Sequence, residues 1–264
     1  MIEVKSRREL ELMRNAGIVV AETLYRLSKA TEPGVTTAEL NELAGNTIAE
    51  YGAESAFLNY RIDDLRPPYP GIVCISVNEE VVHGIPGARI LKSGDIVSYD
   101  VGTRLEDFCG DGAGTFAVGD ISKEAMRLID VTRTTLYNGI EQATVGNRIR
   151  DIGRAAQLTA ESAGYGVVRE MVGHGIGREV HEDPQVPNYV AGGFSPKLFS
   201  GMTIAIEPML TIGDWRIKEL KDKWTVVTSD GKLSAHFEHT IAITEDGPEI
   251  LTLRENGKAG FSLT

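Results

Sequence analysis

Five acidic and imidazole residues in the second two-thirds of the chain could together bind metal ions. Most lie in or beside segments rich in Val, Ile, Thr and Phe, which favour buried strands. The five are Asp100 in GDIVSYDVG, Asp111 in CGDGAGTF, His174 in GHGIG, Glu207 in GMTIAIEP and Glu238 in SAHFEHTIAIT. Burying an unpaired carboxylate costs several kcal/mol, so a core that holds four of them requires cations. The pattern therefore predicts a metal cluster inside a sheet.

The first two carboxylates are expected to lie on one hairpin. Asp100 and Asp111 flank a segment that is typical of strand, turn and strand. If Leu105 and Glu106 form a two-residue loop, Asp100 lies directly opposite Asp111. Leu-Glu is not a favoured tight turn, so a bulge or a longer loop could shift this register. Either arrangement brings the two carboxylates within about 5 Å, although a pair of solvated surface aspartates remains the alternative.

The other three residues are individually ambiguous. Glu207 follows the strand-like MTIAI and precedes Pro208, which ends the ladder. Strand alternation in HFEHTIA places Glu238 on the same face as His236, and a lone glutamate there is more often an outward-facing charge. His174 has a glycine on each side, a backbone that can approach a ligand closely but that also occurs in ordinary turns.

One imidazole and four carboxylates exceed the needs of a closed tetrahedral zinc site. They suit two five- or six-coordinate divalent ions about 3.5–4 Å apart, a spacing that activates a bridging water. The hardness of the oxygen ligands favours manganese, iron or cobalt over zinc.

The elements that position these residues follow an α+β pattern that occurs twice. A helix is predicted over residues 6–30, and a second begins at Thr36, where Glu39 completes a capping box. A later pair begins near Ser122 and near Arg148. The pairs share a lag of 112 residues: Gly34 and Gly146, Leu40 and Ile152, Ala44 and Ala156, Gly52 and Gly164. We expect one catalytic domain over 1–264, whose halves, about 1–120 and 121–264, share a core.

Composition excludes several classes of function. A net charge of -11 argues against a nucleic-acid-binding surface. No apolar run has the length of a membrane span, and the first residues lack the apolar core of a signal peptide. Cys74 and Cys109 form no CxxC motif, so a disulfide framework is not expected. We expect instead a location in the reducing cytoplasm.

The chain resembles the type I methionine aminopeptidases over nearly its whole length. The resemblance rests on EPGV at 32–35, SVNEEVVHGIP at 76–86, GHGIGREVHEDP at 173–184, GMTIAIEPM at 201–209 and HFEHTI at 236–241, together with the DVG and GDGAGTF hairpin. It implies the pita-bread fold, in which two helix–helix–antiparallel-sheet halves surround a central dinuclear metal site. The cofactors would be two divalent ions (Co, Mn, Fe or Zn) held by Asp100, Asp111, His174, Glu207 and Glu238.

The same resemblance implies a reaction, the removal of the initiator methionine from nascent polypeptides whose second residue is small. A metal-bridging hydroxide would attack the first peptide carbonyl, with Glu207 as proton shuttle. His181 would contact the developing oxyanion and His83 the scissile amide, and the substrate α-amino group would bind near Asp100. The methionine pocket would be formed by Phe57, Tyr60, Tyr69, Cys74 and Trp224, although these could also be ordinary core residues.

Two departures from the family pattern stand out. The segment 61–70, RIDDLRPPYP, is predicted to be an irregular loop and is longer than the resemblance leads one to expect, which leaves the placement of Tyr69 open. Gly102 occupies a position where a hydroxyl residue often assists the metal site.

Two other functions remain open. An Xaa-Pro aminopeptidase or prolidase would share the metal site, but such enzymes usually carry a sizeable domain before it. A binding protein of the same fold without catalysis would lose ligands or histidines, and this chain retains all seven. We expect a monomer that binds the N-terminus of nascent chains and neither nucleic acid nor membrane; a transient contact with the ribosome is left open.

Overall fold

The structure is a computed structural model that describes residues 2–262. These residues form four α-helices, α1 Arg7–Ala30, α2 Thr37–Glu50, α3 Lys123–Ile140 and α4 Ile149–Ser162. The predicted helix starts lie within one residue of the observed ones. Within residues 2–262, no helix combines the length and the apolar character that crossing a membrane requires.

Side chains just before the helices determine where they begin. The Ser6 hydroxyl accepts a hydrogen bond from the Glu9 backbone N–H, and the Glu9 carboxylate accepts one from the Ser6 N–H at 2.8 Å. Thr36 and Glu39 form the same reciprocal box, which confirms the predicted start of α2. Ser122 caps α3 through its hydroxyl alone. Each cap satisfies helical N–H groups that have no partner within the helix.

The described residues also form fifteen strands, which pair antiparallel in four sheets. The strands are β1 Glu54–Ser55, β2 Cys74–Val77, β3 Glu80–Val82, β4 Ile96–Leu105, β5 Phe108–Ala117, β6 Gly166–Val167, β7 Gly173–Gly175, β8 Glu182–Val186, β9 Thr203–Ile206, β10 Met209–Thr211, β11 Ile217–Glu219, β12 Val226–Thr228, β13 Ser234–His236, β14 His239–Thr244 and β15 Gly247–Ile250. Strands β4 and β5 belong to a four-stranded sheet with β1 and β2. Strand β14 lies in a five-stranded sheet of order β15-β14-β9-β7-β8.

The β4–β5 hairpin carries the two aspartates in a register that differs from the expected one. Leu105 pairs with Phe108, so the two-residue loop is Glu106–Asp107 and not Leu105–Glu106. Both loop residues have positive φ, 50° and 67°, which two-residue hairpin turns of this hand require and which Asp tolerates better than Leu. Asp100 therefore lies opposite Ala113, and direct opposition to Asp111 is wrong. The shift by two positions keeps both aspartates on one face, as diagonal neighbours.

The strand predicted through Glu238 is interrupted at that residue. Strand β13 pairs with β10 and ends at His236, whereas β14 begins at His239 and pairs with β9. Between them the Glu238 N–H donates to Ala113 of β5 at 2.9 Å. A facing interruption at Glu207 and Pro208 separates β9 from β10. The predicted strand through Glu238, with side chains alternating between two faces, is therefore not formed. Instead, the chain passes from one sheet to another at this residue, and both Glu207 and Glu238 lie where the strand pairing is interrupted.

Helix α1 packs closely against the hairpin at Gly110, and against the segment after β15 at Gly17, because neither residue has a side chain. A Cβ on Gly110 would lie 2.8 Å from the Gly17 nitrogen, and a Cβ on Gly17 would lie 2.2 Å from the Leu251 carbonyl oxygen. The Thr103 hydroxyl of β4 donates to the Ala16 carbonyl at 3.0 Å. This contact fixes the hairpin against the helix and so fixes the aspartates.

The helix pairs show the same local features at the predicted lag. Gly34 and Gly146 precede α2 and α4 with φ of +102° and +92°, and Gly52 and Gly164 follow them with φ of +68° and +88°. Only glycine adopts this backbone without a steric cost. These matches support the proposal of two duplicated halves. The segment between β1 and β2 has no regular structure over residues 61–70, as predicted.

Candidate active site

All five predicted metal ligands lie together at the junction of the sheets. Asp100 and Asp111 come from the hairpin, and His174 is the central residue of β7. Glu207 and Glu238 come from the two facing interruptions described above. Asp111, His174 and Glu238 each offer a ligand atom, and those atoms lie within 4.8 Å of one another. The His174 Nε2 is 3.5 Å from Glu207 Oε1 and 3.9 Å from Asp111 Oδ2.

Burial opposes the ionised form of all four carboxylates. It raises the pKa of Asp100 from 3.8 to about 7. The pKa values of Asp111, Glu207 and Glu238 are also raised well above their ordinary values, first by burial and then by the charges of the neighbouring carboxylates. Burial lowers the pKa of His174 to about 3, so its imidazole is neutral and can act as a ligand. The cluster therefore needs either protons or cations.

Several carboxylate oxygens in this cluster lack hydrogen-bond partners among the described residues and are suited to bind cations. Asp100 Oδ1, Asp111 Oδ1 and Glu238 Oε1 are buried without a hydrogen-bond partner among the described residues. Such atoms are costly in a folded protein unless something else satisfies them. Three carboxylate oxygens converging beside a neutral imidazole match the donor set of a hard or borderline divalent ion.

His236 is a sixth residue of the cluster that sequence reasoning did not assign. Its Nε2 is buried, has no hydrogen-bond partner within residues 2–262, and lies 3.7 Å from Glu207 Oε2 and 3.9 Å from Glu238 Oε2. The burial also lowers its pKa to about 3. The sequence contained one signal for this assignment, because strand alternation places His236 on the same face as Glu238.

The cluster opens onto a cavity of about 280 Å³ that is lined by all twelve predicted site residues and by Ile62. Phe57, Tyr69, Cys74 and Trp224 are buried in its apolar part. The rings of Tyr69 and Trp224 meet edge to face at 5.2 Å, and the Tyr69 hydroxyl donates to the Gly84 carbonyl at 2.8 Å. These contacts fix the aromatic wall of the cavity, against which an apolar side chain could pack.

Cys74 does not have the environment of a nucleophile. It is buried, and burial raises the pKa of its thiol well above the ordinary value. Because the thiolate is the reactive form, this thiol is inert at neutral pH. Its place in the cavity is that of a small apolar group.

Two histidines flank the cluster. The His83 ring lies 6.2 Å from the Trp224 ring, and its backbone has a φ of 59°, an uncommon conformation for a non-glycine residue. Burial lowers the His83 pKa to about 4, so the ring is neutral at neutral pH. His181 is exposed at the cavity opening, 4.4 Å from the His174 ring, and its Nδ1 is 2.8 Å from the Tyr60 hydroxyl.

Comparison with known proteins places this site in a family. The sequence model for metallopeptidase family M24 matches residues 11–245. The chain is 52% identical to a methionine aminopeptidase of Clostridium acetobutylicum, over 97% of this chain and 100% of that protein. The crystal structure of methionine aminopeptidase from Thermotoga maritima superimposes with a TM-score of 0.92 at 44% identity, over 97% of this chain and all of that one. A prolidase from Pyrococcus furiosus, at 21% identity and a TM-score of 0.76 over 96% of this chain and 66% of its own, shares the fold alone.

Proposed function

Because the chain belongs to metallopeptidase family M24 and, within it, to the methionine aminopeptidases of pita-bread fold, we propose that its cavity removes the initiator methionine from nascent proteins whose second residue is small. The enzyme is a metal-dependent aminopeptidase. The observation that carries the proposal is the position of the ligand cluster in a cavity with an apolar wall, beside the neutral His83 and the exposed His181. The buried aromatic wall suits a thioether side chain beside the reacting centre.

Two divalent ions, cobalt, manganese, iron or zinc, would be held by Asp100, Asp111, His174, Glu207 and Glu238. Such ions neutralise clustered carboxylates and lower the pKa of a water molecule, which provides a nucleophile at neutral pH. Four carboxylates and one imidazole are the support for two ions instead of one.

Glu207 is the proposed proton carrier. It lies after the end of β9 and keeps part of its surface in the cavity, where burial and the charge of Asp100 raise its pKa. A carboxyl group with a raised pKa can take a proton from the attacking water and deliver it to the leaving amine.

His181 and His83 would act on the peptide bond itself. If the Tyr60 hydroxyl donates to His181 Nδ1, the ring proton resides on Nε2, which can then donate to the oxygen of the tetrahedral species. The neutral His83 can hydrogen-bond the scissile amide. The α-amino group would bind near Asp100, whose Oδ1 has no hydrogen-bond partner among the described residues, and such binding would restrict cleavage to the N-terminus.

The test is peptide hydrolysis by chelator-treated protein to which a divalent metal is returned. Substrates are Met-Gly-Met-Met, Leu-Gly-Met-Met and an Xaa-Pro peptide, with wild type, Glu207→Gln and the surface control Glu11→Gln. We expect metal-dependent release of methionine alone, lost in Glu207→Gln and kept in Glu11→Gln. Cleavage of the Xaa-Pro peptide would refute the proposed specificity for N-terminal methionine. Inactivity of the folded protein with every metal tested would favour a binding protein without catalysis.

We further propose that the enzyme acts as a monomer in the cytoplasm, and that any contact with the ribosome is transient. Both cysteines are buried and unbridged, which suits a reducing compartment. The net charge of -11 disfavours a broad face for docking on RNA.

A further inference from the structure

The loop 61–68 forms part of the rim of the active-site cavity. Ile62 lines the cavity, yet its side chain is 53% exposed, whereas the apolar residues of the methionine pocket are buried. It follows Tyr60 by two positions, and Tyr60 contacts the exposed His181. Ile62 therefore lies where the cavity opens to solvent, beyond the groups that flank the ligand cluster.

The loop is held in place at three levels. At its base, the backbone N–H of Tyr69 donates a hydrogen bond to the backbone carbonyl of Tyr60 at 2.9 Å. In its middle, Trp224 Nε1 donates to the Pro67 carbonyl at 3.0 Å, which ties the loop to the wall of the methionine pocket. Arg66 Nη1 donates to Glu219 Oε2 at 2.6 Å.

Arg66 thereby links the loop to β11, which contains Glu219. The same Nη1 reaches the carbonyl of Lys223 at 3.1 Å. Within the loop, Asp63 Oδ1 accepts from the backbone N–H groups of Leu65 and Arg66 at 2.8 and 2.9 Å. The rim is thus preorganised, so a substrate does not have to order it.

A peptide whose amino end is at the ligand cluster must leave the cavity through this opening. From these positions we infer that Ile62 contacts the substrate side chain that follows the second residue, and that it gives the enzyme a preference for apolar third residues. This inference rests on the proposed function, because it needs the peptide to enter amino end first. An aliphatic side chain presented on a fixed rim favours an apolar neighbour and cannot hydrogen-bond a polar one.

The experiment compares kcat/KM for Met-Ala-Leu-Leu, Met-Ala-Ser-Ser and Met-Ala-Lys-Lys. In wild type we expect the Leu peptide to be preferred over the Ser peptide by about fivefold, the effect of one partly buried aliphatic contact. Ile62→Ser should bring that ratio close to one. Ile62→Asp should reverse the preference towards the Lys peptide, a gain that damage to folding cannot produce.

Leu65→Ser is the matched control, because Leu65 belongs to the same loop, is 95% exposed and does not line the cavity. It should leave all three ratios as in wild type. Unchanged ratios in both Ile62 variants, or an equal change in Leu65→Ser, would overturn the inference while release of methionine still upheld the proposed function. No release of methionine by wild type from any peptide would instead reject the proposed function.

Discussion

Gly102 makes room for the Phe57 ring in the apolar part of the active-site cavity, and the substitution Gly102→Ala tests this. A Cβ at this position would lie 2.5 Å from Phe57 Cε1 and 2.7 Å from Cζ. Since carbon atoms pack at about 3.5–4.0 Å, the ring must move by about 1 Å. Phe57 is buried, so the movement disturbs a packed wall, and overpacking of this kind costs about 1–3 kcal/mol. For a chain of this size we expect Tm to fall by roughly 4–8 °C at a cost near 2 kcal/mol.

The assay is a double-mutant cycle by thermal unfolding, together with KM for Met-Gly-Met-Met. Phe57→Leu removes the two clashing ring atoms, so Gly102→Ala should cost at least about 1 kcal/mol less in that background. In the Gly102→Ala single variant, KM should rise because the displaced ring enters the cavity. Gly139→Ala, near the C-terminal end of α3, is the control: its Cβ would make ordinary contact at 3.5 Å with Ile152 of α4, and Tm should hold or rise. Equal costs of Gly102→Ala with and without the Phe57 ring would refute the reasoning.

Two further predictions concern charge. In chelator-treated protein, burial raises the pKa of Asp100 from 3.8 to about 7. Between these two pH values the folded state keeps a proton on Asp100 that the unfolded chain has released. The stability that this proton contributes is therefore complete below about pH 4 and is lost as the pH rises through 7. Thermal unfolding across this range should therefore show a smaller decline for Asp100→Asn than for wild type, and equal slopes would contradict the assignment. Lys5 is buried, and its Nζ lies 2.7 Å from the carboxylate of Glu182, the residue after His181. Lys5→Met should therefore lower the free energy of unfolding by about 3–5 kcal/mol and lower kcat, whereas Lys123→Met, at an exposed position, should change neither. A wild-type kcat and Tm in Lys5→Met would show that the Lys5–Glu182 pair does not position His181.

Local signals in the sequence predicted the helical part of the fold well. The Ser6 and Thr36 caps act within three residues of themselves, so their hydrogen bonds could be anticipated from the sequence alone. The glycines at a lag of 112 residues mark helix boundaries, because their positive φ is also a local property. The grouping of the four carboxylates with His174 could be anticipated for another reason, since buried carboxylates that repel one another need cations to neutralise them.

What the sequence did not predict depends on contacts between distant segments. The hairpin register followed from the turn at Glu106 and Asp107, one position from the expected loop. The interruption at Glu238 arises because its backbone pairs with Ala113, which strand alternation cannot show. Gly102 was noted for a missing hydroxyl, but the structure gives it a steric role towards Phe57.

The five proposed metal ligands are divided between the two halves of the chain. Asp100 and Asp111 precede the turn into α3, and the remaining three follow it. Neither half of the chain contains all five proposed ligands, so the proposed metal centre cannot be transferred with one half alone. A recombination event that exchanged one half for a distant homologue's would inherit an incomplete site. We therefore expect the two halves to evolve together, whereas their outer loops can vary in sequence independently.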